Sequence, residues 1–338
     1  MTRSIVRLKD IADKTGFSTN TVSLALRESP RIPEPTRLLI RQAAAELNYL
    51  PNQIAKSLVS RETKTIGLVL TDITNPVLTR VAQTIEIALA ARGYGTLFAT
   101  SNNTLAEEMR AVELFRARQV DGMLIYPSGH RQLDHLRPLR RANLPIVLLV
   151  GDPDAGLDAV CMDERRGAYK AVRHLIDSGH TRIGMIDGAN RYGNLEKREG
   201  YQQALREAGI AEDAALRVDP QGHSVEKGYW AAEALLGGGA RPTALFAGND
   251  SLALGALRWA IRHGLRVPDD LAIVGMDNIE FAEYAAVPLT TVNYAVETVT
   301  QMAVERLMQL ISSDQLPEPR VTQIDPDLVV RDSSQKRR

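Results

Sequence analysis

A single cysteine in 338 residues, Cys161, excludes an internal disulfide framework and fits a reducing compartment. Its neighbours, AVCMD, read as the end of a strand, where a free thiol serves as a small buried hydrophobe. No apolar run approaches the roughly 18 residues that a membrane-crossing helix needs. The opening MTRSIVRLKD lacks the apolar stretch of a secretory signal, so a cytoplasmic location without a membrane partner is expected. The signatures of several chemistries are missing: there is no G-x-x-x-x-G-K-[ST], no G-x-G-x-x-G after a strand, no G-x-S-x-G and no H-E-x-x-H. His174 and His180 do not stand at a metal-binding spacing, and Gly179-His180 reads as a helix stop before a strand. Gly237-Gly238-Gly239 reads as a helix end rather than a phosphate cradle. No enzyme activity, cofactor or metal is expected.

What is present is uneven. The length implies two or three domains, and the composition, 44% hydrophobic and 24% charged, is that of a globular protein. The formal net charge is zero, yet residues 1–60 hold nine Lys/Arg against five Asp/Glu, and the remainder holds 32 against 36. A basic head on a mildly acidic body suits a nucleic-acid-binding appendage.

In the head, Leu8, Ile11 and Ala12 fall at helical spacing and predict a helix from Leu8 to Thr15. Gly16 breaks it and permits a tight turn. Ser18 is a good cap for a second helix, Thr19 to Leu26, with Val22, Ala25 and Leu26 facing inward. Two short helices joined by such a turn make a helix-turn-helix. The outer face of the second helix carries Thr19, Asn20, Ser23, Leu24 and Arg27, and short polar side chains at its start can reach base edges in a major groove. On spacing alone the same pattern also describes a plain helical hairpin with a solvated polar face. A third helix, Thr36 to Leu47 behind Pro33 and Pro35, would bury Leu39, Ile40, Ala43 and Leu47. After Asn48–Asn52 comes a very short helix, Gln53 to Val59, whose Ile54, Ala55 and Leu58 have no local core. It is too short to be stable alone and is expected to form on a partner.

From Thr65 the rhythm changes. IGLVL, TLFAT, GMLIY, IVLLV, RIGMID, ALFAG and LAIVG alternate with amphipathic helices such as VAQTIEIALAARG and SLALGALRWAIRHG. Continuous apolar strands between such helices mean parallel sheets covered on both faces. Two sets of them imply two doubly wound α/β lobes, with ligands beyond the carboxyl ends of the strands and in the gap between lobes.

The runs LKDIADKTGFSTNTVSLAL and LNYLPNQIAKSL resemble the DNA-binding head and hinge of the lactose-repressor (LacI) family. The resemblance extends over essentially the whole chain, to a body of the periplasmic-binding-protein-like type I fold. It implies a helix-turn-helix domain over 1–50, a hinge over 51–64 and an effector-binding and dimerisation domain over 65–338. The first lobe would comprise about 65–163 and 291–320, the second about 164–290 and 321–338. Thr19, Asn20 and Leu24 match the family's main base-reading positions; Ser18, Thr21, Ser23, Tyr49 and Asn52 match phosphate or orientation contacts. Ala55 and Lys56 would line the minor groove, and Leu58 would wedge into the central base step beside its counterpart from a second chain. Many members carry Arg or another polar residue where this chain has Leu24; a leucine cannot bind guanine bidentately but can pack on a thymine methyl.

In the body, the resemblance places Asn75, Leu78, Ser128, Tyr192, Asn194, Arg198, His223, Asn249 and Asp277 at effector-binding positions. Val77 and Leu78 replace the aromatic residues common at that loop, which removes stacking on a flat ligand from that side. Each residue has a plainer reading: a solvated Arg198 at a helix start, Asp277 as a turn cap, and surface roles for His223 and Tyr192. The implied function is a sequence-specific transcriptional regulator, of repressor type, that binds a pseudo-palindromic double-stranded operator as a homodimer. A small-molecule effector, a sugar or related metabolite, would control its affinity. The tail RDSSQKRR has no apolar heptads to build a four-chain bundle. The competing classes are a solute-binding transport protein, which would have no use for residues 1–60, and a metabolite-sensing enzyme, whose motifs are lacking.

Overall fold

The computed structural model describes residues 6–50, 62–151, 155–188, 195–238 and 241–335. The chain divides into two compact units, Met1–Thr63 and Lys64–Arg338.

The first unit holds α1 (Leu8–Thr15), α2 (Thr19–Leu26) and α3 (Glu34–Glu46). Gly16 ends α1 at φ 72°, and its N–H reaches Ala12 O. That left-handed turn is the reason for glycine here. Ser18 Oγ accepts the Thr21 N–H at 3.1 Å and so caps α2. Ile11, Ala12, Val22, Ala25, Ile40, Ala43 and Ala44 form the core, with Leu8, Phe17, Leu47 and Tyr49 packed around it. Ile11 and Ile40 are fully buried, each worth about 1.5–3 kcal/mol. The third helix begins at Glu34 rather than Thr36, with Pro33 at the cap and Pro35 in the first turn, where a missing N–H costs nothing. Leu39 is not a core residue; it is 50% exposed. Ile40, about 100° further round the helix, takes the inward position.

The second unit has two sheets. In chain order the first lobe supplies β1 (Thr65–Leu70), α4 (Pro76–Ala90), β2 (Gly95–Thr100), α5 (Leu105–Ala117), β3 (Gly122–Ile125), α6 (Arg137–Arg141), β4 (Ile146–Leu148) and β5 (Asp158–Met162). The second supplies α7 (Glu164–Asp177), β6 (Ile183–Ile186), α8 (Glu196–Glu207), β7 (Arg217–Val218), α9 (Val225–Gly237), β8 (Ala244–Ala247), α10 (Asp250–Arg262), β9 (Ala272–Asp277), α11 (Glu280–Glu283) and β10 (Thr290–Asn293). The chain then returns through α12 (Val296–Ile311) and β11 (Val321–Ile324) to the first lobe and ends with β12 (Leu328–Val329) in the second.

The sheet orders are β11-β5-β4-β3-β1-β2 and β12-β10-β9-β8-β6-β7. The strand pairs are parallel apart from β10 with β12, and the inner parallel strands β3, β4, β6 and β8 are buried along their whole length because helices cover both faces. Two crossings between lobes fall later than the sequence reading placed them. The second lobe keeps its strand through Asn293, since Thr290–Asn293 pairs with Val274–Asp277. The third crossing follows Ile324 rather than residue 320, since Val321–Ile324 pairs with Ala159–Met162. Those partners are far apart in sequence, and local pattern carries no sign of them. Close helix pairs hold the second lobe. A Cβ on Gly200 would meet Arg165 O at 2.1 Å, and one on Gly255 would meet Val225 O at 2.1 Å, so glycine lets these backbones touch. No helix among the described residues is long and apolar enough to cross a membrane.

Candidate functional site

The outer face of α2 is the first candidate site. Thr19 and Asn20 are exposed in its first turn, and Ser23 and Leu24 are half-buried. Ser18 Oγ and Thr21 Oγ1 lie 2.9 Å apart, engaged with each other as well as with the helix start. This leaves Thr19 and Asn20 as the polar side chains projecting most freely from the helix start. Tyr49 packs against the three-helix core, which fixes the chain leaving α3. Asn52, Ala55, Lys56 and Leu58, with the expected hinge helix, lie outside the described residues. Tyr192 and Asn194 do as well.

The second candidate is a cavity of about 750 Å³ in the second unit. Its wall is built from strand ends of both lobes. Thr71 follows β1, Tyr126 and Ser128 follow β3, and Glu164 follows β5; Asp187 follows β6, Asn249 follows β8, and Asp277 closes β9. Of the residues expected there, Asn75, Leu78, Ser128, His223, Asn249 and Asp277 line it. Asn75 caps α4 through Oδ1, which accepts the Val77 N–H. Asn249 caps α10 in the same way, accepting the Leu252 N–H at 2.8 Å. Ser128 is buried, with its hydroxyl donated to Ser101 Oγ at 2.7 Å. Its N–H is donated to Glu108 Oε2 at 2.5 Å. Its part in the wall is therefore to shape it.

Arg198 is the exception. It lines a separate cavity with Arg217, Ala214 and Asp219, and that cavity shares only Asp187 with the first. Among the described residues of the lining, the cation is Lys197, one residue earlier on α8. One helical step turns a side chain by about 100°, enough to exchange one cavity for the other. Lys197 Nζ donates to Gly248 O at 2.9 Å and lies 3.5 Å from Glu164 Oε1. Burial works against its charge, but Glu164, Asp187 and Asp277 prevail and hold the ammonium above its ordinary range.

Burial pushes the Asp277 carboxyl well up, aided by Asp250 and Glu164 and opposed by Lys197. Asp277 also has φ 117°, a conformation that costs a non-glycine residue energy and is often kept where a site needs it. His130 and His223 are both lowered to about 4, chiefly by burial, so they are neutral near pH 7. Sequence reasoning also missed Tyr126 and Tyr294, whose phenols burial raises well above the usual range. They supply the aromatic surface that Val77 and Leu78 do not. Tyr126 closes the apolar run GMLIY; Tyr294 sits just past a lobe crossing that local pattern did not place.

Comparisons with known proteins agree on both units. The family described as bacterial regulatory proteins, lacI family, matches residues 7–52. A periplasmic binding protein-like domain matches residues 172–334. The HTH-type transcriptional repressor PurR of Photobacterium profundum is 33% identical, over 96% of this chain and 98% of its own. The HTH-type transcriptional regulator DegA of Bacillus subtilis is 34% identical, over 96% and 97%. A Lac repressor dimer bound to operator and the anti-inducer ONPF superposes with a TM-score of 0.87 at 26% identity, covering 98% of this chain and 99% of that one. The transcriptional regulator CelR in complex with cellobiose gives 0.71 at 29% identity, covering 97% and 99%.

Proposed function

The chain belongs to the lacI family of bacterial regulatory proteins, a DNA-binding transcriptional regulator, and from that premise we propose that α2 reads an operator whose affinity a neutral, hydroxyl-rich ligand controls from the interlobe cleft. The observation that carries the DNA half is the capped α2 with Thr19 and Asn20 exposed at its start. In this reading Thr19, Asn20 and Leu24 face bases, while Ser18, Thr21, Ser23 and Tyr49 orient the head on phosphates. Asn52, Ala55, Lys56 and Leu58 would act in the hinge. One head offers little contact, so a homodimer on a pseudo-palindromic site is expected, as in the related Lac repressor dimer on its operator. Repression is the mode that the related repressors favour, and a DNA-binding role supports a cytoplasmic location for the working protein.

The charge balance of the cleft narrows the effector. Asp72, Glu164, Asp187 and Asp277 face one lysine and two neutral histidines among the described residues of the lining. Lys197 is already matched by these carboxylates, which leaves no surplus cation in that lining for a phosphate or carboxylate ligand. Hydroxyls, which both donate and accept, satisfy carboxylates and amides such as Asn249 together, and Tyr126 and Tyr294 offer ring surface to a sugar. CelR, bound to cellobiose, shows a similar protein with such a ligand.

Two measurements test the reading. Asn20→Ala should lose about 1–3 kcal/mol of discrimination at one base pair of each half-site, seen as a flattened preference there in a selected-site profile of the full-length protein. An unchanged profile would remove Asn20 from base reading. In a thermal-shift panel, neutral sugars and polyols should stabilise the protein and sugar phosphates should not. The reverse order would overturn the assignment of the effector class.

A further inference from the structure

At the margin of the cleft, a ring nitrogen of His130 and carboxylate oxygens of Glu164 and Glu196 all lie within 4.8 Å of one another. We infer that these three residues form a cross-lobe site for a divalent transition-metal cation. His130 comes from the loop after β3 in the first lobe. Glu164 and Glu196 open α7 and α8 in the second. The cluster lies where the main cleft, lined by His130 and Glu164, adjoins a smaller cavity of about 310 Å³ lined by Glu164 and Glu196.

Two buried polar atoms ask for a ligand. His130 is 6% exposed, and its Nδ1 has no hydrogen-bond partner among the described residues. Glu196 Oε2 is buried and likewise unpartnered. Buried polar atoms are nearly always satisfied by protein, water or an ion, and a cation between the carboxylates and the imidazole would satisfy both at once.

The donor set fixes the class of metal. One imidazole and two carboxylates suit Zn²⁺ or Mn²⁺; a purely oxygen site would suit Mg²⁺ better. Metal–ligand bonds of about 2.1 Å bring ligand atoms about 3–4 Å apart, so a movement of about 1 Å closes the present set. Cys161 borders the same smaller cavity, but it is not among the clustered donor atoms, and it is left out of the set. Two cations compete for the carboxylates. Lys197 lies 3.5 Å from Glu164, and Arg131 lies 3.8 Å from Glu196. A metal sharing Glu164 with Lys197 would therefore tie lobe closure to the charge that faces the effector.

Calorimetric titration of tag-free, EDTA-stripped full-length protein with ZnCl₂ or MnCl₂ alone tests this without operator or effector. The expected result is one ion per chain, weaker binding of MgCl₂, and slower amide exchange in 126–131 and 163–168 when the ion is bound. His130→Ala and Glu196→Gln should each weaken binding at least about tenfold, since even outer-shell losses reach that size. Cys161→Ser should leave it unchanged. Glu196→Gln preserves side-chain shape, so it decides the matter if His130→Ala fails to fold. Failure of both metals to saturate the wild-type protein, or full affinity in Glu196→Gln, would overturn the site.

Discussion

Asp158→Ala is expected to destabilise the body by about 3–5 kcal/mol, the cost of breaking a buried ion pair by removing one partner. Asp158 is wholly buried at the start of β5. One oxygen accepts from Arg140 Nη2 at 3.0 Å. The other accepts from Arg306 Nε at 2.8 Å, Arg306 Nη2 at 2.6 Å and the Arg320 N–H at 3.1 Å. Those donors belong to α6, α12 and the approach to β11, so one carboxylate fastens the returning chain to the first lobe. The two guanidiniums are only 13% and 17% exposed, and without Asp158 both remain buried with no countercharge. Arg140 also donates to Pro317 O at 2.5 Å, so the loop before β11 should loosen with it. Asp158→Asn keeps one acceptor oxygen and should cost less. Calorimetric melting of the body, with amide exchange in β5 and β11, measures this. A loss below about 1 kcal/mol, the scale of an exposed pair, would show that water replaces the carboxylate and that the cluster is not a clamp.

The contrast between local and distant information explains which parts of the protein were legible beforehand. α1 and α2 match their expected bounds because Gly16 and Ser18 set those ends through backbone conformation and a side-chain cap. Both effects act within a few residues. The two-lobed α/β body follows from apolar strands alternating with amphipathic helices, again a local signal. The late lobe crossings were not legible, because β10 and β11 find partners 16 and 162 residues away, Thr290 with Val274 and Val321 with Ala159. Leu39 and Arg198 show what one residue of helix phase changes. Leu39 and Ile40 were both expected in the core and only Ile40 is buried there, while Lys197, the neighbour of the expected Arg198, is the side chain that lines the cleft. Residue type was a good guide to the chemistry of the cleft, but a single step of helix phase decided which side chain delivered it.

That one-residue difference leads to the second large effect. Lys197→Met should weaken effector binding by about thirtyfold or more, while Arg198→Ala should change it by less than about threefold. Methionine keeps the length of the side chain and removes the charge. Losing one member of a buried, hydrogen-bonded charge pair costs about 2–5 kcal/mol, and 2 kcal/mol is about thirtyfold in a dissociation constant. The cost has two sources here. The ligand loses a charged donor that Gly248 O and Glu164 hold in place. Glu164, Asp187 and Asp277 also lose the ammonium that offsets them, so mutual repulsion should push the cleft open. Arg198 lines a separate cavity, which shares Asp187 with the cleft. Because the two binding sites are linked, the loss must appear twice. Operator should change effector affinity by the same factor as effector changes operator affinity, and Lys197→Met should abolish both shifts at effector concentrations that saturate the parent protein. Calorimetry with the best ligand from the neutral-sugar panel, with and without operator, gives both numbers. Parent-like affinity in Lys197→Met, or a larger loss in Arg198→Ala, would return the effector clamp to Arg198 and contradict the arrangement of the cleft.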